Sequence, residues 1–299
     1  RSLTGLMNVP NYKTTVFVTL LAFVGCSPES IEEQTGPAPT APTGTSQNAL
    51  KLYVFDCGHL RFDSITGFSI QDDETSVREL IVPCYVVDHP EGRMLWDGGL
   101  PSAVANAEGW QDNARLDRTL AEQLDNLSLG FDLSSLDYVA FSHMHYDHVG
   151  VANEIENATW LVQQTEFDAM FSEQVTVPAA QPELYANLRS ADRIALDGDH
   201  DVFGDGRVVI MSAPGHTPGH QVLFLDLAQT GPLVLSGDLY HFRLSRTDQR
   251  VPTFNVDSEM TLESMDRIEA FVDAAGATFW IEHDLALFQE LKKAPEFYN

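Results

Sequence analysis

Basic residues are scarce in this sequence. Only 17 Lys and Arg stand against 44 Asp and Glu in 299 residues, a formal net charge of −27. Nucleic-acid phosphates are bound by clustered cations, so this balance excludes a nucleic-acid partner. It equally excludes electrostatic capture by an anionic membrane surface. Cysteine is rare too, with three in the chain, so no disulfide framework holds the fold. No apolar run reaches the roughly 20 residues that a membrane-spanning helix needs. No G-x-S-x-G element is present, which removes that route to a serine nucleophile. What remains is globular composition, 43% hydrophobic and 10% aromatic. A chain of this length buries a sizeable core without covalent staples.

The acid excess is uneven. Arg1–Cys26 holds two bases, Arg1 and Lys13, and no acid, so the remainder carries 15 bases against 44 acids, a net of −29. The same stretch contains the apolar run VFVTLLAFVG, Val16 to Gly25, ending at Cys26. A cationic start followed by such a run reads as a secretory signal, with Met7 as its start. The F-V-G-C ending resembles a bacterial lipobox, although Phe23 is not its usual first residue. The chain is therefore expected to be exported and anchored by a lipid on Cys26, periplasmic or at the outer membrane, or else secreted. The competing view is a buried N-terminal strand with an ordinary cysteine. Residues 27–49, rich in Pro, Thr, Ser and Gly, cannot bury enough surface to fold and read as a tether. The folded domain is expected over residues 50–299.

Within it, Leu52–Phe55, Leu80–Val87, Arg93–Trp96, Asp137–Phe141 and Trp160–Gln163 read as strands bounded by turn residues. So do Arg207–Met211, Gln221–Asp226, Leu233–Leu235 and Ala277–Ile281. Leucines at 116, 120, 124 and 127 recur at helical spacing, which predicts a helix over Leu116–Leu129. Leu262, Met265, Ile268 and Val272 predict another, capped by Asp257 or Ser258. Strands in both halves with helices between and outside them suit two packed sheets with helices on the outer faces. Cys57 and Cys84 end apolar runs and are expected to be buried free thiols.

The chemistry concentrates in FSHMHYDHVG, Phe141 to Gly150. Residues two apart on an extended chain share a face, so His143 and His145 can grip one metal ion. Asp147 and His148 are adjacent and must diverge, which suits a second ion beside the first. Three later residues also follow apolar strands: His216 in SAPGHTPGH, Asp238 in LSGDLY and His283 in WIEHD. Five His and two Asp suit zinc, and also iron, manganese or cobalt.

H-x-H-x-D-H, then P-G-H-T-P-G-H, then G-D, then a late His resembles the metallo-β-lactamase superfamily. Within it the chain looks most like the N-acyl-homoserine lactonases, through KLYVF at Lys51, PCYVV at Pro83 and DGGLPSAV at Asp97. LVQQTEF at Leu161 and the ending PEFYN at Pro295 also fit. The resemblance implies an αββα sandwich with two divalent metal ions, Zn2+ by preference. His143, His145 and His216 would hold the first; Asp147, His148 and His283 the second; Asp238 would bridge them. A metal-bridging hydroxide would open the lactone ring of an acyl-homoserine lactone, the quorum-quenching reaction, with Asp147 as proton donor to the leaving alkoxide. The family's carbonyl-binding Tyr follows the bridging Asp closely, and Tyr240 and His241 both stand open for that role.

His220 is expected to support the site rather than bind metal, and Asp284 to orient a ligand or lie at the surface. His59, His89 and His200 are expected to be solvated. Phe62, Phe68, Ile70, Met170, Phe171, Phe242 and Phe254 are candidates for an acyl pocket, Phe68 and Phe242 foremost, or for the core. The oligomeric state, a homodimer included, stays open. Competing functions are hydrolysis of neutral esters or phosphotriesters on the same scaffold, and metal binding without catalysis.

Overall fold

The computed structural model describes residues 49–299. The proposed signal, Cys26 and most of the tether lie outside them. Seven strands come first along the chain: β1 (Lys51–Arg61), β2 (Glu79–His89), β3 (Gly92–Trp96), β4 (Ala114–Arg115), β5 (Tyr138–Ala140), β6 (Thr159–Gln163) and β7 (Arg193–Leu196). They form one sheet in the order β4-β1-β2-β3-β5-β6-β7. It is antiparallel from β4 to β3 and parallel from β3 to β7. Then come β8 (His200–Asp201), β9 (Val208–Ser212), β10 (Gln221–Leu227), β11 (Gly231–Leu235) and β12 (Thr278–Trp280). These make the second sheet, in reverse chain order and antiparallel except for β11 and β12.

Alternation along each strand builds the layers. Leu52, Val54, Tyr85 and Trp96 of the first sheet face Ile210, Leu223, Leu225 and Leu235 of the second. Their neighbours Tyr53, Phe55, Val86 and Leu95 face outward, under the helix α1 (Leu120–Leu127). α2 (Gln164–Met170) packs beyond β6 on the same side. On the other outer face, Met265, Ile268 and Val272 of α4 (Ser258–Ala275) cover Val222 and Val234. α3 (Arg243–Asp248) precedes α4, and α5 (Leu285–Glu290) follows β12. This is the expected αββα sandwich.

Three local expectations change. α1 starts later than Leu116 because Thr119 and Glu122 form a capping box, each side chain bonding the other's backbone N–H. Leu116 instead joins a separate cluster with Leu60, Phe68 and Leu100. Cys57 and Cys84 are joined as a disulfide rather than free. They lie on neighbouring strands, with a bulge in β1 after Asp56 and Cα atoms 5.7 Å apart, within bridging range. His59 and His89 are buried, not solvated. His59 sits between Asp56 (3.1 Å) and Glu79 (2.9 Å), while His89 bonds Asp205 and stacks on Phe203. His200 is half-buried on β8.

The loop after β1 is tied to the segment after α3. Thr253 N donates to Gly67 O, Ser69 Oγ to Val251 O, and Arg250 pairs with Glu74 at 2.7 Å. The Arg250 guanidinium and the Gln71 N–H hold the Glu74 carboxyl down at about 2, from 4.5. A depressed folded pKa contributes stability above the unfolded value and loses it as pH falls through the folded one. Glu74→Gln should therefore melt below the wild type at neutral pH, with the gap closing between about pH 4.5 and 2. Thermal unfolding across that range checks this; a gap independent of pH would contradict it.

Candidate metal centre

Four strand exits converge at one end of the sandwich. The loop after β5 carries His143 to His148, the loop after β9 carries His216, the turn after β11 carries Asp238, and His283 follows β12. All seven side chains are buried, none more than 7% exposed. Close approach of the first loop to the β3 exit depends on Gly150: its N–H bonds Gly99 O, and a Cβ there would overlap the Leu100 carbonyl.

The ligand atoms form two groups. His216 Nε2 lies 3.1 Å from His143 Nε2 and 3.1 Å from His145 Nδ1. Asp238 Oδ2 is 3.4 Å from His143 Nε2 and 3.2 Å from His216 Nε2. Asp238 Oδ1 turns to the other group, 3.2 Å from His148 Nε2 and 2.9 Å from His283 Nε2. Asp147 Oδ2 is 3.8 Å from each of those nitrogens. One carboxylate thus presents an oxygen to each set.

These residues fit a pair of divalent cations. Tetrahedral nitrogen ligands about 2.0–2.1 Å from a zinc-type ion stand roughly 3.3 Å apart, close to the separations here. His148 Nε2 and Asp238 Oδ1 are buried without a hydrogen-bond partner, a costly state for a polar atom unless a cation takes the lone pair. Burial, reinforced by neighbouring imidazoles, holds His143 and His145 well below the usual histidine range, which keeps them neutral as ligands must be. Burial alone would raise Asp238, but His241, His148 and His283 reverse this and hold it well below the carboxylate range.

A metallo-beta-lactamase superfamily model matches residues 77–274, well over half of the chain. The chain belongs to the metallo-β-lactamase superfamily. Among its relatives, the N-acyl homoserine lactonase AttM of Azorhizobium caulinodans is 27% identical over 266 residues, covering 84% of this chain and 99% of the relative. An N-acyl homoserine lactonase of a Bacillus species is 28% identical over 257 residues, covering 83% and 98%. The crystal structure of an N-acyl homoserine lactone hydrolase with its product, N-hexanoyl-L-homoserine, at the catalytic metal centre superposes with a TM-score of 0.69. It is 26% identical to this chain, covering 84% of this chain and 99% of that one.

Most of these candidate ligands are oriented from behind. His148 Nδ1 bonds Asp97 Oδ2 at 2.8 Å, and Ser142 Oγ lies between His143 Nδ1 and His148 Nδ1. Asn255 Oδ1 meets His216 Nδ1 at 2.9 Å, and His283 Nδ1 bonds Ile81 O at 2.6 Å. His220 has the expected supporting role: its Nδ1 bonds Ala213 O and its Nε2 accepts the Asp238 N–H. Sequence reasoning did not single out Asp97, Ser142 or Asn255. Asp97 heads DGGLPSAV and Ser142 adjoins the histidine motif, but nothing local distinguished them, or Asn255, from turn residues. Asp284 bonds Leu287 N and Arg243 and so caps α5.

Of the two candidates for the carbonyl contact, only His241 reaches the site. Its Nε2 is 3.0 Å from Asp238 Oδ2, and it stacks near His283. Tyr240 points the other way, into the core under α4, where its ring meets Phe279. Burial and the nearby Glu269 carboxylate raise its hydroxyl pKa. The alternation of an extended residue decides this, since Tyr240 has φ −142° and ψ 136°.

A cavity of about 350 Å³ opens on Asp147, Asp238, His145, His241 and His283, walled by Phe62, Phe68 and Phe254. Phe68 packs on His241 at 4.9 Å. Phe242 lines an adjoining cavity of about 480 Å³ that shares Leu80, His241 and His283. Ile70, Met170 and Phe171 belong to the core instead.

Partners behind metal-binding histidines typically govern metal affinity by about 10–100-fold. Asp97→Asn should weaken retention of the ion held through His148 by that factor in chelator competition. Unchanged retention would show that Ser142 alone suffices.

Proposed function

We propose that this chain hydrolyses the lactone ring of N-acyl-homoserine lactones, with zinc as the metal. The observation that carries this is two metal-ligand sets that share Asp238 and open into a cavity walled by aromatic side chains. The likeness to named lactonases spans nearly their full length. An acyl tail is apolar and the ring is neutral, which suits walls of Phe62, Phe68 and Phe254.

His143, His145 and His216 would hold one cation, Asp147, His148 and His283 the other, with Asp238 shared. Such ions, when bound, acidify water and polarise a carbonyl. The chain's own groups do the rest. The aromatic walls exclude water and orient the tail. His241 faces the cavity beside Asp238, where a carbonyl oxygen gathers charge in the tetrahedral state. Asp147, on the same cavity, hands a proton to the departing ring oxygen. In balance, water's OH adds to the carbonyl carbon, the acyl C–O bond breaks, and its remaining proton ends on the freed hydroxyl. The product is the N-acyl homoserine.

Export and a lipid on Cys26 belong to the same proposal and rest on the first 26 residues of the sequence. That placement would put the site where a diffusible lactone is met.

Incubation of the metal-loaded protein with an acyl-homoserine lactone should yield a product heavier by one water, and a chelated sample should yield none. Failure to open the ring while an ester or phosphotriester is cleaved would move the assignment to those substrates. Two bound metals with no turnover at all would favour a binding role. His241→Ala should lower kcat by about 10²–10³-fold, the typical cost of one oxyanion donor, at unchanged metal content. A matching loss of metal would make His241 a ligand instead.

A further inference from the structure

Glu166 is buried near the start of α2, 3% exposed, and is not one of the seven ligands. Its two oxygens hold two different loops. Oε1 accepts from Met144 N at 2.9 Å, and Oε2 accepts from Gly219 N at 2.7 Å. Met144 lies between His143 and His145. Gly219 is three residues beyond His216. The two loops so joined carry His143, His145 and His216, with His216 Nε2 3.1 Å from a nitrogen of each of the other two.

The contact leaves no slack. A Cβ on Gly219 would lie 2.5 Å from Glu166 N and 2.6 Å from Glu166 Cβ, so the loop rests directly on the helix. Thr165 Oγ1 adds a second tie, donating to Pro218 O at 3.0 Å. The other ligand set is braced elsewhere, His148 by Asp97 and Ser142, His283 by Ile81 O. Each oxygen takes one backbone N–H from a different loop, so the side chain sets the spacing between the two loops.

We propose that Glu166 is a positioning residue that fixes His143 and His145 against His216, and so governs retention of the ion held by those three. The inference rests on the two-ion reading of the site but not on the choice of substrate. Loss of Glu166 should loosen one ion and spare the other. A general structural role would loosen both or neither.

The test follows metal release from the holoprotein into excess chelator, alongside the melting temperature of the metal-free protein. Glu166→Ala should release one of two ions faster by about 10–100-fold, the usual effect of a supporting partner, with the second unchanged. Glu166→Gln keeps one acceptor oxygen but turns an NH2 toward the other N–H, so it should fall between. The exposed Asp168→Asn on the same helix should behave as wild type. If Glu166→Ala does not fold, Thr165→Val, which cuts only the second tie, should quicken the same phase by less. Parallel loosening of both ions, or release at the wild-type rate, would overturn the inference alone. A wild type holding one ion per chain would overturn the two-ion reading and this inference with it.

Discussion

The Asp238 carboxylate is the pivot of the molecule. Its two oxygens face two separate sets of imidazole nitrogens within 3.4 Å, at the buried end of the cavity. So many polar atoms buried together are unfavourable unless they are paired or bind cations. The surrounding structure answers that constraint. Four strand exits from two sheets meet at this one carboxylate. The apolar layers between and outside the sheets supply the burial that stabilises the arrangement.

Orientation is set one layer out. Asp97, Ser142, Asn255, Ile81 O and the His220 ring hold ligands or their backbone, and most come from a different segment than the group they hold. Glu166 does the same for backbone, holding two loops by their N–H groups. The site is therefore a product of strand packing as much as of its motifs. On the solvent side, Phe62, Phe68 and Phe254 replace charge with aromatic surface. A chain with 44 acids presents an uncharged wall where the substrate enters, consistent with a neutral ester-like ring rather than a phosphodiester.

Legibility in the sequence followed the range of the interaction. Most apolar strands were readable to within a few residues, because their pattern is local, but β1 runs past the expected Phe55 to Arg61, through the bulge after Asp56. α1 was misplaced at its start although the Thr119–Glu122 box was there to be read, and the leucine spacing outweighed it. The short helices α2, α3 and α5 carry six or seven residues each, too few for a periodic signal. The Cys57–Cys84 bond and the burial of His59 and His89 depend on partners from other segments. Residue type alone made free thiols and solvated histidines the plainer expectation.

By itself, the sequence determined the inventory of candidate metal-binding residues, the layered class of the fold and the scarcity of cations for a polyanionic partner. Spacing within a motif, apolar periodicity and net charge are all properties of the chain read in order. Only the tertiary structure decided that His241 and not Tyr240 turns to the cavity, and that Glu166 joins the loops carrying His143, His145 and His216. Those choices depend on which neighbour each side chain meets once the elements are packed. Sheet packing sets that across separations of 22 to 53 residues for Glu166 and 73 for His143 with His216, beyond any local pattern.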